Sequence, residues 1–454
     1  MTNHIPFRNR KITDQFIRRF FYDRYQAFRD EEITIRKRFY YESDEKLAWD
    51  FYNIDAFRAE LVRNSMRITR IEPENPYLYH TNVPSVRGLN SNEIFYVEIE
   101  NKQLIVSVYN RSKDKFMVIY SGTTNHEAKM NEFWIVFNKS IIGNIYGDFG
   151  YILSLLDAGH VINQMCLVSS LYEESISITY DDFNDLGLRL MNSEMNVIAK
   201  VRLPEKTHAI SRKRLIENHH KNLCAYSIHE GEIKEEPHNT VLNGYLKELI
   251  NEGKGEFNDE NHNESLSYYN DVALTMANRT SDQSPQGFFG KMLSKNQEEI
   301  NRIIDFTTVC LKTTARDDYF QVLLIANDNE GDENAFIISN DHASEYGHLS
   351  DLDKQNMLKE GHDHFELNGC KYIIYTMISK ELTQRPSSTN YAIIKSAEII
   401  HSLALYLTEQ TYVTRPMKNI DERYIENYFQ LEDRLISYML IAGKQNHRNL
   451  QLSI

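Results

Sequence analysis

Residues 150–190 read GYILSLLDAGHVINQMCLVSSLYEESISITYDDFNDLGLRL, and residues 390–429 read NYAIIKSAEIIHSLALYLTEQTYVTRPMKNIDERYIENYF. In the first, Ile152, Leu155, Leu156, Gly159, Ile162, Cys166 and Leu167 recur at spacings of three and four, which predicts a helix with an apolar face. The second is a long apolar helix over Asn390–Thr408. Each stretch then passes through a β-like segment into an acidic helix start, Tyr180-Asp181-Asp182 in one and Asn419-Ile420-Asp421 in the other. Asp or Asn before a helix accepts bonds from its first free N–H groups, so these acids read as caps. His160 reads as a buried histidine bonded to backbone, with His401 in a similar place in the second copy, and Asp157 reads as a residue that caps or orients.

Outward from these helices the order of elements repeats. EIFYVEIE (93–100), QLIVSVY (103–109), KFMVIYS (115–121) and EFWIVFN (132–138) alternate as strands do, with turns at Asn101-Lys102 and Asn110–Lys113, and MNVIAKVRL (195–203) closes the first half. In the second half a helix over Gln297–Leu311 precedes the strands 320–327, 333–340 and 370–378, and 434–444 closes it. A two-copy period of about 240 residues implies tandem domains rather than a solenoid. We divide the chain into an N-terminal extension (1–60), a first domain (61–205), a polar connection with one helix at Leu242–Asn251 (206–270) and a second domain (271–454). The extension, rich in Arg, Phe and Tyr, reads as an amphipathic or extended segment covering a partner surface.

The formal net charge of −14 argues against nucleic acid or a membrane surface as the main partner, because both are polyanionic. Cys166, Cys224, Cys310 and Cys370 are far apart with no C-x-x-C, which fits reduced thiols in the cytoplasm. The charged N-terminus predicts no secretory segment, and the apolar runs predict no membrane span. His208, His219, His220 and His229 lack metal-ligand spacing, so no metal is expected. Neither G-x-x-x-x-G-K-[ST] nor G-x-S-x-G occurs, which leaves NTPase and serine hydrolase chemistry without support.

Three segments carry a resemblance. They are Arg63-Asn64-Ser65-Met66-Arg67, the turn Pro84-Ser85-Val86-Arg87-Gly88-Leu89 ahead of a strand, and Ile145-Tyr146-Gly147-Asp148-Phe149-Gly150-Tyr151 followed by Leu156-Asp157-Ala158-Gly159-His160. In this order they resemble the nitroreductase fold and, within it, the SagB-type azoline dehydrogenases of ribosomal-peptide biosynthesis. The match covers roughly 45–205, and 275–445 matches in architecture. The resemblance implies an α+β chain of two tandem nitroreductase-like, FMN-binding domains that form an internal pseudo-dimer, with the flavin where the copies meet. It implies FMN-dependent oxidation of thiazolines or oxazolines to thiazoles or oxazoles in a precursor peptide, oxygen reoxidising the flavin. A cyclodehydratase and a leader-peptide-binding protein are the implied partners, and self-association is left open.

An FMN phosphate needs Arg or Lys and a hydroxyl, for which Arg63, Ser65 and Arg67 are candidates in the first copy and Arg279, Ser281 and Lys444 in the second. The Pro84–Gly88 turn would approach the ring, with Ser85 as a hydrogen-bonding group and Gly88 removing a side chain. Tyr146 aligns with the family's catalytic tyrosine; the family's neighbouring Lys is Ile145 here, its two Arg are Phe149 and Ile152, and Lys139 is the candidate substitute. Two other readings stand beside this one: a degenerate scaffold without flavin, and a generic flavin reductase.

Overall fold

In the computed structural model the described residues are 7–22, 48–49, 56–71, 79–88, 90–111, 114–125, 129–180, 195–204, 241–252, 257–260, 269–271, 275–276, 278–279, 296–315, 318–327, 334–347, 349–358, 367–444 and 452–453. Asp181, Asp182, Leu89, Ser281 and the His208, His219, His220, His229 group lie outside them, as does most of the polar connection.

The chain opens with α1 (Phe7–Ile17), which continues as a π-helical turn (Arg18–Tyr22), then β1 (Ala48–Trp49), α2 (Ala56–Met66), β2 (Ile68–Ile71) and β3 (Tyr79–Thr81). The first sheet is built from β4 (Asn92–Glu100), β5 (Gln103–Asn110), β6 (Lys115–Thr123) and β7 (Met130–Asn138). After α3 (Lys139–Tyr146) and α4 (Gly150–Leu171) it gains β8 (Ser177–Tyr180) and β9 (Met195–Arg202). The connection supplies α5 (Val241–Glu252) and β10 (Asn258–Glu260). The second half runs α6 (Gln297–Ala315), β11 (Phe320–Ala326), β12 (Asn334–Ile338), β13 (Ala343–Glu345), α7 (Asp351–Asn356) and β14 (Tyr372–Ser379). It ends with α8 (Pro386–Glu409), β15 (Val413–Met417), α9 (Glu422–Tyr428), β16 (Arg434–Gly443) and β17 (Leu452–Ser453).

The repeat read in the helices recurs in the sheets. The first sheet is ordered β1-β6-β5-β4-β7-β9-β8-β10 and the second β13-β12-β11-β14-β16-β15. Without β1 and β10 at its ends, the first has the order of the second, strand for strand. Asn101 and Lys102 at φ 52 and 63 form the two-residue turn from β4 to β5, with both residues left-handed as the strand twist requires. Phe95, Val97 and Ile99 of β4 pack on one face of the sheet, and Ile94 and Tyr96 on the other, because strand side chains alternate.

Helices α4 and α8 lie side by side at the centre. Nineteen of the 22 residues of α4 are buried, so its apolar character is uniform rather than one-sided. Residues 147–171 are long and apolar enough to cross a membrane, yet their apolar 18-residue window is buried in protein, as a core helix is. One hydrophobic core runs from Phe133 and Leu155 of the first copy to Phe320 and Leu440 of the second without a break. The halves therefore fold as one unit, not as beads on a linker.

Beyond the repeat, the connection is more than a tether. β10 pairs with β8, and Lys395 of α8 is buried between Asp259 (2.5 Å) and Glu398 (2.8 Å), while the Tyr180 hydroxyl lies within hydrogen-bond distance of both carboxylates. In the N-terminal extension residues 7–22 are helical and pack against the chain itself. Phe16 stacks on Tyr245 (3.8 Å), Lys418 sits 4.1 Å from the Phe21 ring, and the Tyr22 hydroxyl donates to Glu426. β17 crosses back to pair with β2 of the first copy.

Candidate functional site

The two copies meet most closely at Gly159. A Cβ there would stand 2.3 Å from the Ile394 carbonyl oxygen and 2.7 Å from the Ala397 Cβ, so only glycine lets α4 and α8 come this near. One residue on, His160 meets His401, Nδ1 to Nδ1 at 3.3 Å, on the pseudo-twofold between the helices. The partners assign the protons. Both histidines bond to side chains, not to backbone as expected from the sequence, and the Gln164 Oε1 acceptor puts the His401 proton on Nε2, so His401 Nδ1 accepts from His160 Nδ1–H and the Tyr438 hydroxyl donates to His160 Nε2 (3.2 Å). His401 Nε2 donates to Gln164 Oε1 (2.8 Å), and Gln164 Nε2 donates to the Asn64 carbonyl (3.3 Å). Burial drives both imidazoles down, His160 to about 3, with the nearby Arg279 charge adding to it, so both are neutral at neutral pH.

Around this axis lies the turn that leads into β4. Val86–Gly88 is a 3-10 turn with Gly88 at φ 65, a left-handed position that suits glycine. Asp157, three residues before His160 on α4, holds the turn from beneath. Its carboxylate accepts from the Val86 N–H (3.2 Å), the Ser91 N–H (3.3 Å) and the Ser91 hydroxyl (2.7 Å). Burial pushes Asp157 up to about 6 even though these bonds favour its charged form.

Arg279 comes to this turn from the second half. It is 2% exposed, and its Nε donates to the Asn82 carbonyl at 2.8 Å, two residues before Pro84. Arg70 donates to the Arg279 carbonyl (2.9 Å). Of the residues singled out in the sequence, the structure thus brings Arg279 of the second half to Asn82, two residues before Pro84, with Ser85 and Gly88 in the turn that follows.

The others stand apart from this group. Arg63 and Arg67 converge on Asp114, at 2.6 and 3.9 Å, and the Tyr109 hydroxyl donates to the same carboxylate at 2.6 Å. Ser65 is fully buried and donates to the Leu61 carbonyl one helical turn back. Lys444 reaches the Thr411 hydroxyl (2.6 Å) and lies 4.1 Å from the Tyr412 ring, at the end of α8. Tyr146 ends α3, half-buried beside Phe149. Lys139 begins the same helix and stands 3.4 Å from Asp148; seven residues separate it from Tyr146, roughly 10 Å along the axis. Sequence reasoning missed Asp114, Asn82, Arg70 and Tyr438. Asp114 carries the one local signal, a left-handed φ of 50 in a strand turn. Among the described residues no three His, Cys, Asp or Glu side chains converge as a metal site would need.

No protein-family model matches the chain, and no curated protein matches it. Solved structures do. A protein of Anabaena variabilis assigned as a nitroreductase is similar over 96% of this chain and 99% of its own, with a TM-score of 0.69 at 12% identity. A nitroreductase assignment from Exiguobacterium sibiricum, solved in complex with FMN, covers 39% of this chain and 90% of its own at a TM-score of 0.27 and 13% identity. The microcin synthetase McbBCD complex of E. coli, solved with a truncated pro-peptide bound, covers 37% and 61% at a TM-score of 0.25 and 9% identity. Only the first has the overlap to carry an argument, and the argument is about fold. The chain is an α+β protein of two tandem nitroreductase-like copies forming an internal pseudo-dimer.

Proposed function

We propose that this protein is an FMN-dependent oxidoreductase with one flavin site, where Arg279 of the second copy meets the Pro84–Gly88 turn of the first. The single observation that carries this reading is the convergence of Arg279 on Asn82 across the junction, 2.8 Å from the segment that begins the turn. The donor set fits a phosphorylated planar ring: a guanidinium, the half-buried Ser85 hydroxyl and backbone left open by Gly88. The first-copy cations Arg63 and Arg67 fit poorly, because the Asp114 carboxylate already stands where an anion would. When bound, FMN supplies hydride acceptance. The chain's own residues bind and orient: Asp157 holds the turn rigid, and the close α4–α8 contact fixes the two sides relative to each other.

The substrate we propose is a thiazoline or oxazoline in a precursor peptide, with a cyclodehydratase and a leader-peptide-binding protein as partners in the cytoplasm. The units 61–205 and 271–454 are the proposed halves. Tyr146 is the proposed proton acceptor at the azoline carbon, with Lys139 as the cation on its helix; of the other flavin candidates, Ser65 and Lys444 stand apart from this site and Ser281 lies outside the described residues. A second reading, a flavin-free scaffold, draws on the pairing of Arg63 and Arg67 with Asp114.

Purified protein distinguishes the two. Oxidised-flavin absorbance that co-elutes with the chain, or appears on adding FMN, is the expected result; a colourless chain that takes up none sinks the enzyme reading. Tyr146→Phe should keep its flavin and lose azoline oxidation by about 100-fold or more, the scale of general-base catalysis. An undiminished rate removes Tyr146 from the chemistry.

The flavin site should also respond to acid. Asp157 titrates at about 6, above the ordinary carboxylate value, so its ionised form is the costlier one in the fold. Below pH 6 it takes up a proton, and one of its oxygens becomes a donor facing the Val86 and Ser91 donors. FMN affinity, followed by fluorescence quenching, should therefore fall as pH drops from 7 to 5. Asp157→Asn should bind weakly throughout and lose that slope, and a wild-type affinity flat with pH refutes the link.

A further inference from the structure

Among the described residues the second sheet has no counterpart to either end strand of the first. Its β15 edge carries Pro416, which has no N–H to offer. Its β13 edge is different: Ala343, Ser344 and Glu345 are all exposed, none is proline, and among the described residues no strand pairs with its outer side. At the pseudo-equivalent edge of the first sheet, β1 pairs antiparallel with β6 through Ala48↔Met117 and Trp49↔Phe116. On the first sheet the corresponding edge is thus covered by a short extended segment.

The register says which atoms are on offer. Ser339 N–H donates to the His342 carbonyl and Tyr346 N–H to the Ala335 carbonyl, with Ile337 opposite Ser344 between them. Residues 342, 344 and 346 therefore turn their backbone groups to β12, and Ala343 and Glu345 turn theirs outward. Beside this edge opens a cavity of about 600 Å³ between α6, the β12–β13 turn and the end of α8. Asp305 and Asp341 line it with His342 and Tyr406; Arg302, also in the lining, is ion-paired with Glu298. Glu345 adds a third carboxylate on the strand.

We propose that β13 is a docking edge for an extended, basic segment of a partner protein, which adds as an antiparallel strand to Ala343 and Glu345 and places a Lys or Arg side chain in the cavity between Asp305 and Asp341. Backbone bonds supply affinity in such additions and the side-chain pocket supplies selectivity. This inference stands whether or not the chain binds flavin.

The test uses the full chain and fluorescein-labelled peptides: acetyl-KVKVKV-amide, its glutamate counterpart, and the lysine peptide N-methylated at alternate residues. Fluorescence anisotropy should show binding of the lysine peptide, and at least tenfold weaker binding of the other two. Ala343→Pro removes an outward N–H and leaves the β12 bonds in place, and should weaken binding at least tenfold with an unchanged melting temperature. Asp305→Asn with Asp341→Asn should weaken it similarly and steepen no salt dependence. Should Ala343→Pro fail to fold, the N-methylated peptide still decides. Equal binding of all three peptides overturns the proposal. So does a concentration-dependent dimer, seen by sedimentation, that Ala343→Pro dissolves, since the edge would then belong to a second copy.

Discussion

Arg279→Ala should release the flavin. A buried guanidinium that meets a phosphate makes charge-assisted hydrogen bonds, each worth about 1.5–3 kcal/mol. One or two of them lost is a weakening of roughly ten- to ten-thousandfold in affinity, at about 1.4 kcal/mol per tenfold. Flavin bound after gel filtration, measured against protein, should drop from near stoichiometric to a small fraction. Arg279→Lys should recover part of it, because Lys keeps the charge and loses the fork. Arg63→Ala is the matched control. Its guanidinium is committed to Asp114 at 2.6 Å, so retention should hold. If Arg63→Ala releases flavin and Arg279→Ala does not, the phosphate site lies in the first copy and our placement is wrong. Because Arg279 also ties down Asn82, each variant needs a melting curve beside its flavin measurement.

Gly159→Val should be the most damaging single change to the fold. Even a methyl group at residue 159 meets a backbone carbonyl at 2.3 Å, and backbone on a 24-residue core helix cannot swing aside as a side chain can. Overpacking typically costs about 1–3 kcal/mol and more where nothing yields. Here the strain falls on the seam between the copies, so we expect at least about 3 kcal/mol or failure to accumulate as folded protein. Gly159→Ala with Ala397→Gly should be milder than Gly159→Ala alone. It removes the 2.7 Å contact with the Ala397 Cβ and leaves the one with the Ile394 oxygen. Equal stability of Gly159→Val and wild type, by urea denaturation, would mean that the helices are free to separate.

Much of this fold is legible in the sequence because its signals are local. Alternation located the strands of both sheets to within a residue or two, and the pattern of residues 150–190 against 390–429 exposed the duplication. Strands too short to alternate, such as β1 at two residues and β13 at three, leave no such trace, and neither does α3, whose eight residues complete barely two turns. The site is less legible because its meaning lies in contacts across long separations. Arg63, Ser65 and Arg67 form a spacing that suits an anion, but Asp114 decides what the two arginines do, and nothing in their own segment points to it. Arg279 is the converse. Its segment is weak as a motif, and its place against Asn82, 197 residues away, is what singles it out.

The histidine pair at the junction has a direction. From Tyr438 through His160, His401 and Gln164 to Asn64, every hydrogen points the same way along the relay, which begins in the second copy and ends in the first. Two identical subunits about a true twofold could not agree on such an arrow. Each molecule would have to choose one of two equal and opposite polarities, and a population would hold both. Joining the copies in one chain ends that degeneracy, because Gln164 has Leu405 as its counterpart rather than another glutamine. The duplicated protein is thereby polarised at its centre. Its two halves are free to become inequivalent in chemistry while remaining equivalent in shape.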